Sequence, residues 1–162
     1  MTEITPDGQL GVDDRLATMF ELQRSMQEKN FGADPYQLSG EQRLQFYKDM
    51  HIALIDELHE ALDEMGWKPW ATSKHFNEEA VQGELVDAFH FFMNLCMTAG
   101  MTPEDLFVKY YRKRTKNIKR QEEGYDGVST KCPHCRRALD DDAVQCHEDP
   151  LHPGSFICFG RY

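Results

Sequence analysis

Apolar residues recur at intervals of three and four from about residue 13 to residue 124, and Pro and Gly are scarce in this stretch. This period is typical of amphipathic α-helices, and the breaks in the pattern separate four of them. We expect helices at about 13–29, 39–65, 77–99 and 103–124. The short turn around Gly100 predicts that the last two helices are antiparallel neighbours.

Apolar stripes on the first two helices mark the expected core. The first stripe contains Leu16, Met19, Phe20 and Met26. The second helix presents a longer face, which consists of Leu44, Tyr47, Leu54, Leu58, Ala61 and Met65. Because such faces must be buried against other helices, they predict an all-α bundle of four to five helices.

The sequence changes character after Gly127. Residues 128–162 contain three of the seven prolines, four of the five cysteines and no helical period. The length of 162 residues fits one domain with at most one small addition. We therefore predict an all-α domain at 1–127 and a small C-terminal appendage at 128–162.

Charge and hydropathy exclude several classes of partner. The chain has 28 acidic and 18 basic residues and a net charge of -10, so a general affinity for nucleic acid or an anionic membrane is not expected. No apolar run approaches the roughly 18 residues of a membrane span, and the first ten residues lack the features of an export signal. We expect a cytoplasmic protein, in the host cytoplasm if the source is a virus.

Two kinds of acid occupy the second helix. Helical geometry places Glu57, Glu60 and Glu64 in one stripe at the edge of the apolar face, whereas Asp56 and Asp63 fall on the opposite, solvated side. The stripe at the edge is therefore the one that can meet a neighbouring helix.

The third helix repeats the pattern. Glu84, Asp87, His90 and Asn94 share one polar face in a segment that is otherwise almost entirely apolar. Carboxylates one turn apart on two facing helices suit Mg²⁺, which prefers oxygen ligands in octahedral geometry. The alternative is that both faces are simply solvated, since charged helix surfaces are common.

The fourth helix is locally basic in an acidic protein. A stripe of Tyr110, Lys113, Asn117 and Arg120 lies on one side of it and can bind several phosphate oxygens at once. The alternatives are a solvated helix or a nucleic-acid-binding helix. Seven of the 18 basic residues fall within twelve positions: Lys109, Arg112, Lys113, Arg114, Lys116, Lys119 and Arg120.

An amide interrupts the apolar stripe of the first helix at Gln23, and Gln27 follows one turn later. A buried amide needs hydrogen-bonding partners. These partners are either the edge of a nucleobase or other polar groups in the core.

Together these segments resemble the all-α, MazG-like nucleotide pyrophosphohydrolases, in the dimeric dUTPase branch that includes the dCTPase/dUTPase of T-even bacteriophages. The resemblance covers roughly residues 15–126. It is carried by Leu22-Gln23, Asp56-Glu57-Leu58-His59-Glu60, Trp67-Lys68-Pro69-Trp70, Glu84-Leu85-Val86-Asp87-Ala88-Phe89-His90-Phe91, and Tyr110-Tyr111 followed by Lys113, Asn117, Arg120-Gln121 and Gly124-Tyr125.

The resemblance implies Mg²⁺-dependent hydrolysis of a deoxynucleoside triphosphate to the monophosphate and pyrophosphate by a homodimer. The family's metal ligands fall on Glu57, Glu60, Glu84 and Asp87, the acids that helical geometry had already singled out. An activated water would attack the α phosphorus in line, with Glu57 or Glu60 accepting its proton.

The family's substrate-binding positions also have counterparts here. Gln23 matches a base-reading glutamine, and the triphosphate would contact Lys113, Asn117, Arg120, Tyr125 and Lys68. Trp67 or Trp70 would wall the base pocket, although both can equally be core or interface residues.

One departure from the family pattern concerns the base. Members specific for dUTP usually have asparagine one turn after the glutamine, whereas this chain has Gln27, as the T-even enzyme does. The substrate is therefore expected to be a pyrimidine dNTP, either dUTP or dCTP. The alternatives are a purine or modified dNTP, a di-iron carboxylate bundle, or a non-catalytic zinc-containing module that binds nucleic acid or a regulator.

The cysteines of the appendage predict a zinc site. Cys132-Pro133-His134-Cys135 has the spacing of a zinc knuckle, and Cys146 and Cys158 are the simplest remaining ligands, with His147 or His152 as possible replacements. Without metal so short a segment is expected to be unfolded. Cys96, in contrast, lies on an apolar helix face and is expected in the core.

Overall fold

A computed structural model describes residues 14–128, 130–133, 135–140 and 144–160, with the backbone alone at 144–147, 156 and 158–160. Within these residues the chain forms four helices and one antiparallel pair of strands. The all-α prediction is confirmed, and the strand pair is an addition that the sequence did not predict. The elements are α1 (Arg15–Phe31), α2 (Gly40–Asp63), α3 (Glu78–Thr98), α4 (Pro103–Glu122), β1 (Val144–Glu148) and β2 (Phe156–Gly160).

Local signals fix the helix ends. The Asp14 side chain accepts a hydrogen bond from the Ala17 N–H (2.9 Å), and α1 ends at Gly32, whose φ of 63° is left-handed. At α4 the Asp105 N–H donates to the Thr102 hydroxyl (3.1 Å), and the Thr102 N–H donates to the Asp105 carboxylate (3.1 Å). These bonds form a reciprocal cap. The Thr102 hydroxyl also donates to the Asp105 carboxylate (2.8 Å), and this bond, followed by the one from the Thr102 N–H, lowers the pKa of Asp105.

The core is centred on α3, which packs against both α1 and α2. Phe20 of α1 and Met93, Cys96 and Met97 of α3 are buried together. The core position predicted for Cys96 is confirmed. The partly buried residues packed against this cluster are Leu16, Tyr36, Phe89, Met101 and Leu106.

The apolar face predicted for α2 is only partly buried. Ala61 is buried as expected, but Leu44, Tyr47 and Leu58 are 73 %, 43 % and 46 % exposed. The reason is that α2 turns the side carrying Glu57 and Ala61 toward α3. The stripe through Leu44 and Leu58 is therefore left on the outside of the chain.

The chain divides into two compact units, Met1–Lys109 and Tyr110–Tyr162, so that α4 begins in the first and ends in the second. The boundary that composition predicts after Gly127 stays a prediction. In the second unit, β1 and β2 pair, and an isolated bridge joins Lys131 to Ala138. None of the helices among the described residues has the length and apolarity that a membrane crossing requires.

A partly buried ion pair between Arg24 and Asp34 stabilises the connection between α1 and α2. Arg24 donates two hydrogen bonds to Asp34 (Nε–Oδ1 3.1 Å and Nη2–Oδ2 2.6 Å), and Asp34 also accepts from the Tyr36 N–H (3.0 Å). The Arg24 hydrogen bond is the largest cause of a lowered pKa at Asp34. The Tyr36 hydroxyl in turn donates to the carbonyl of Met101 (3.0 Å), which ties this connection to the core.

Asp34→Asn is expected to lower the free energy of unfolding by about 1–2 kcal/mol and the Tm by about 3–6 °C at pH 7. The lowered pKa means that the ionised carboxylate stabilises the fold above its ordinary pKa, and that this contribution is lost as the pH falls through the lowered value. Thermal unfolding at several pH values should therefore show wild type and variant converging in acid. The exposed Asp56→Asn is the matched control, and a pH-independent difference would contradict the assignment.

Candidate metal and nucleotide site

Three carboxylates from two helices converge at the face where α2 meets α3. Glu57 and Glu60 lie one turn apart on α2, and Glu84 lies on α3. Each offers an oxygen, and these oxygens all lie within 4.8 Å of one another. Glu57 and Glu84 are half-buried and Glu60 is exposed. This arrangement is suited to a hard divalent cation, which binds several carboxylate oxygens at once.

Burial and neighbouring acids disfavour the ionised form of Glu57. The pKa of Glu57 is raised, first by burial, then by the charge of Glu60, by a hydrogen bond with Glu84 and by the charge of Asp87. Asp87 lies one turn after Glu84 and is exposed. A cation placed beside Glu57 would offset the neighbouring negative charges that help to raise its pKa.

The other acids of α2 lie apart from this cluster. Asp56 and Asp63 are exposed. Glu64 accepts a hydrogen bond from the Asn77 amide at the start of α3 (2.8 Å), so it is engaged in closing the connection between the two helices.

A cavity of about 620 Å³ adjoins the acids. Glu57 and Asp87 line it together with the polar side chains of Gln23, Gln27 and His90. Its volume falls in the range of small-molecule sites. The rest of its wall is apolar and consists of Met26, Phe31, Ala33, Phe46, Met50 and Phe91.

Gln23 is buried in this wall and makes two hydrogen bonds to α3. Its amide nitrogen donates to Asn94 Oδ1 (3.0 Å), and its amide oxygen lies 2.6 Å from His90 Nδ1. Asn94 is itself completely buried. The amide is thus satisfied by polar groups of the core, and its base-reading role stays a prediction.

Gln27 differs from Gln23 in its surroundings. Its side chain is only 5 % exposed and lines the same cavity, yet its amide makes no hydrogen bond within the described part of the chain. The side chain borders the cavity, so its amide is available to hydrogen-bond to a ligand bound there. The signal in the sequence was its position one turn after Gln23.

The aromatic loop residues lie elsewhere in the first unit. Trp67, Lys68 and Trp70 belong to the connection between α2 and α3 and do not line the cavity beside the acids. Lys68 Nζ lies 5.7 Å from the centre of a Trp67 ring, and Trp70 is 77 % exposed. Their substrate contacts remain predictions.

The basic residues of α4 differ in their environments. Lys113 and Asn117 are exposed. Arg120 donates to both oxygens of Asp140 (Nε–Oδ2 2.8 Å and Nη2–Oδ1 2.6 Å) and lies 4.6 Å from the centre of the Tyr125 ring. The role of Asp140 could not be predicted from the sequence, because its contact with Arg120 joins residues 20 positions apart that no helical or strand period relates.

The comparisons with known proteins agree with these features. The sequence model of a dUTPase family matches residues 15–102, which contain α1, α2 and α3. The dCTP pyrophosphatase of Enterobacteria phage LZ5 is 30 % identical over 146 residues, which cover 69 % of this chain and 83 % of the relative. The dCTP pyrophosphatase of Enterobacteria phage T4 is 28 % identical over 143 residues with the same coverage.

No solved structure gives a significant match. The family match spans more than half of the chain and includes both helices that supply the clustered acids. The resemblance read from the sequence motifs is therefore confirmed, and the chain belongs to the dUTPase family.

Proposed function

We propose that this chain hydrolyses a pyrimidine deoxynucleoside triphosphate, dUTP or dCTP, to the monophosphate and pyrophosphate. Membership of the dUTPase family makes it an enzyme of the dNTP diphosphatase class. The observation that carries the proposal is the convergence of Glu57, Glu60 and Glu84 within 4.8 Å beside a cavity that contains buried amides.

The acidic cluster is the proposed place for Mg²⁺. Glu57, Glu60, Glu84 and Asp87 would hold it, and its charge, when bound, offsets the negative charge of the phosphates. Four carboxylates on two helices provide oxygen ligands of the kind that Mg²⁺ prefers.

Glu57 is the stronger candidate for accepting the proton of the attacking water. It lines the cavity and is half-buried, whereas Glu60 is exposed. A base must lie within hydrogen-bond reach of the water that it activates, and the carboxylate that borders the substrate cavity satisfies this better.

The cavity is the proposed site of the base. Apolar side chains cover the faces of a planar ring, and amides can bond to its edge. Gln27 is the amide that is available to the base. Its N–H₂ group can donate to an acceptor on the pyrimidine edge, and its oxygen can accept from a donor there. Gln23, held by Asn94 and His90, would contribute the fixed part of the wall. Trp67 and Trp70 are the further base-pocket positions that the family pattern proposes.

The phosphate chain is assigned to the basic residues that match the family pattern, namely Lys113, Asn117, Arg120 and Tyr125, with Lys68 as an additional contact. Arginine and lysine recognise phosphate oxygens through charge-assisted hydrogen bonds. The ring of Tyr125 stacks with Arg120 and would help to orient its guanidinium.

We propose a homodimer as the working form. Leu44, Tyr47, Ile55 and Leu58 lie along one side of α2 and are each more than 40 % exposed. A contiguous apolar stripe of this kind marks a protein interface. A second copy of the chain is the partner that the family pattern supports, and the mass measured by light scattering tests it.

The activity is tested by measuring pyrophosphate release from each natural dNTP and from dUTP, with Mg²⁺ and with a chelator. We expect dCTP or dUTP to be turned over at least about 100-fold faster than dATP and dGTP, since amides that pair with a pyrimidine edge would be left without partners by a purine. Turnover should stop when Mg²⁺ is removed. A preference for purines would overturn the base assignment, and an absence of turnover with every nucleotide would indicate a binding module.

A further inference from the structure

We propose that the second unit contains a structural zinc centre ligated by Cys132, Cys135, Cys146 and Cys158, and that this centre holds Asp140 against Arg120 of α4. The proposal concerns a site outside the acidic cluster and the nucleotide cavity. Four thiolates around one ion form the usual closed coordination of structural zinc.

Backbone hydrogen bonds close the turn that carries Cys132 and Cys135. The Cys132 N–H donates to the carbonyl of Arg137 (2.8 Å), and the Cys132 carbonyl accepts from the Arg136 N–H (2.9 Å). A further bond, from the Leu139 N–H to the carbonyl of Thr130 (3.0 Å), closes the base of the turn. Two cysteines separated by two residues on such a tight turn are arranged to bind one ion.

Arg136, directly after the second cysteine, has a φ of 62°. It is the only non-glycine residue with a positive φ in the described part of the chain. This left-handed conformation is unfavourable for a residue with a Cβ, and it persists only where the surrounding structure enforces it. Metal ligation by the adjacent cysteines would supply this constraint.

The strand pair places the other two cysteines together. Cys146 of β1 and Cys158 of β2 are direct partners in the antiparallel register. Direct partners share one face of the sheet and have neighbouring Cα atoms. His147 occupies the next register position, opposite Ile157, and therefore belongs to the other face. The register thus favours Cys158 over His147 as the partner of Cys146.

Few side chains are buried in the part of the second unit that the structure describes after α4. Beyond α4, Cys132 is the only buried residue among those whose side chains the structure describes. Val128, Leu139 and Leu151 are 64 %, 44 % and 81 % exposed. Few apolar side chains are thus buried among the described residues of this segment, and zinc is a further source of stability that its cysteines offer.

The same segment reaches α4 through Asp140. Besides its two bonds from Arg120, Asp140 accepts a hydrogen bond from Lys116 at its backbone carbonyl. The Arg120 hydrogen bond is the largest cause of a lowered pKa at Asp140. Asp140 follows the cysteine turn by five residues, so folding of that turn fixes where this carboxylate lies. Zinc would in this way orient a guanidinium that the family pattern assigns to phosphate binding.

The zinc content of the purified full-length protein tests the first part. We expect one zinc per chain by elemental analysis, and its loss in the double variant Cys132→Ser, Cys135→Ser with the helical circular dichroism retained. Cys96→Ala and His152→Ala are the controls and should keep the metal. Cobalt in place of zinc should give the absorption of four thiolates in tetrahedral geometry.

Three results would overturn the zinc centre. They are an absence of zinc in the wild type, retention of zinc in the double variant, and a disulfide between Cys146 and Cys158 in protein purified under reducing conditions. A cobalt spectrum with fewer than four thiolate ligands would also exclude this ligand set.

The effect of the zinc centre on Arg120 rests on the proposed function and is tested separately, through the KM for the dNTP. Both the double cysteine variant and Asp140→Asn should raise the KM for the preferred dNTP by about 3–10-fold with kcat nearly unchanged, because an unoriented side chain loses entropy on binding. An unchanged KM in zinc-free protein would overturn the link. An absence of any dNTP turnover would refute the proposed function instead, and the zinc measurement would stand on its own.

Discussion

Glu57→Gln is expected to lower kcat for dNTP hydrolysis by about 10²–10⁴-fold, the range associated with the loss of a general base. Glutamine keeps the shape of the side chain but cannot accept the proton of a water, and it removes one negative charge from the group that would hold Mg²⁺. The side chain is half-buried and borders the cavity, where it can reach both a bound cation and a water beside the substrate. The measurement is pyrophosphate release at saturating nucleotide over a range of Mg²⁺ concentrations.

The control for this experiment lies one residue away. Asp56→Asn makes the same change of charge on the exposed side of α2, and its activity should stay within about two-fold of the wild type. Stability separates a chemical effect from a folding effect. Burial and then the neighbouring acids raise the pKa of Glu57, so its ionised form is disfavoured in the folded chain, and the metal-free variant should be at least as stable as wild type at pH 8. Full activity of Glu57→Gln, or an equal loss in Asp56→Asn, would contradict the assignment.

The helices and the acidic cluster could be predicted because both depend on short-range rules. The ends of α1 and α4 follow from Asp14, Gly32 and the Thr102–Asp105 pair, which act within one turn. The spacing of Glu57 and Glu60 puts both on one face of α2 in whatever way that helix packs. Local sequence therefore determined which acids are available to meet at a helix interface.

Other features could not be predicted because they depend on how the elements pack. The apolar stripe through Leu44 and Leu58 predicts a core face, yet α2 packs on α3 through the side that carries Glu57 and Ala61 and leaves Leu44 and Leu58 outside. Gln23 forms hydrogen bonds with His90 and Asn94, which are 67 and 71 positions away in the sequence, so no local pattern predicts them. The pairing of β1 with β2 also escaped prediction, since a two-stranded sheet is too weak to leave a strong sequence signal.

Arg120→Met is expected to raise the KM for the preferred dNTP by about 10–100-fold, with a smaller effect on kcat. The reason is that hydrogen bonds to a charged partner contribute about 1.5–3 kcal/mol each, and the phosphate chain would lose at least one of them. Methionine keeps much of the length and the apolar stem of the side chain. Arg120 is restrained by Asp140 and by the ring of Tyr125, so it is oriented before the nucleotide arrives.

Arg114→Met is the matched control, because it removes the same charge from an exposed position of the same helix. If the basic residues of α4 act only through their summed charge, both variants should raise the KM equally, and added salt should reduce the effect of each in the same way. If Arg120 binds phosphate directly, only its variant should distinguish a triphosphate from a monophosphate. Weaker binding of a non-hydrolysable dNTP analogue with unchanged binding of dCMP or dUMP would therefore place Arg120 on the β or γ phosphate, whereas equal losses would move its contact to the α phosphate or the nucleoside.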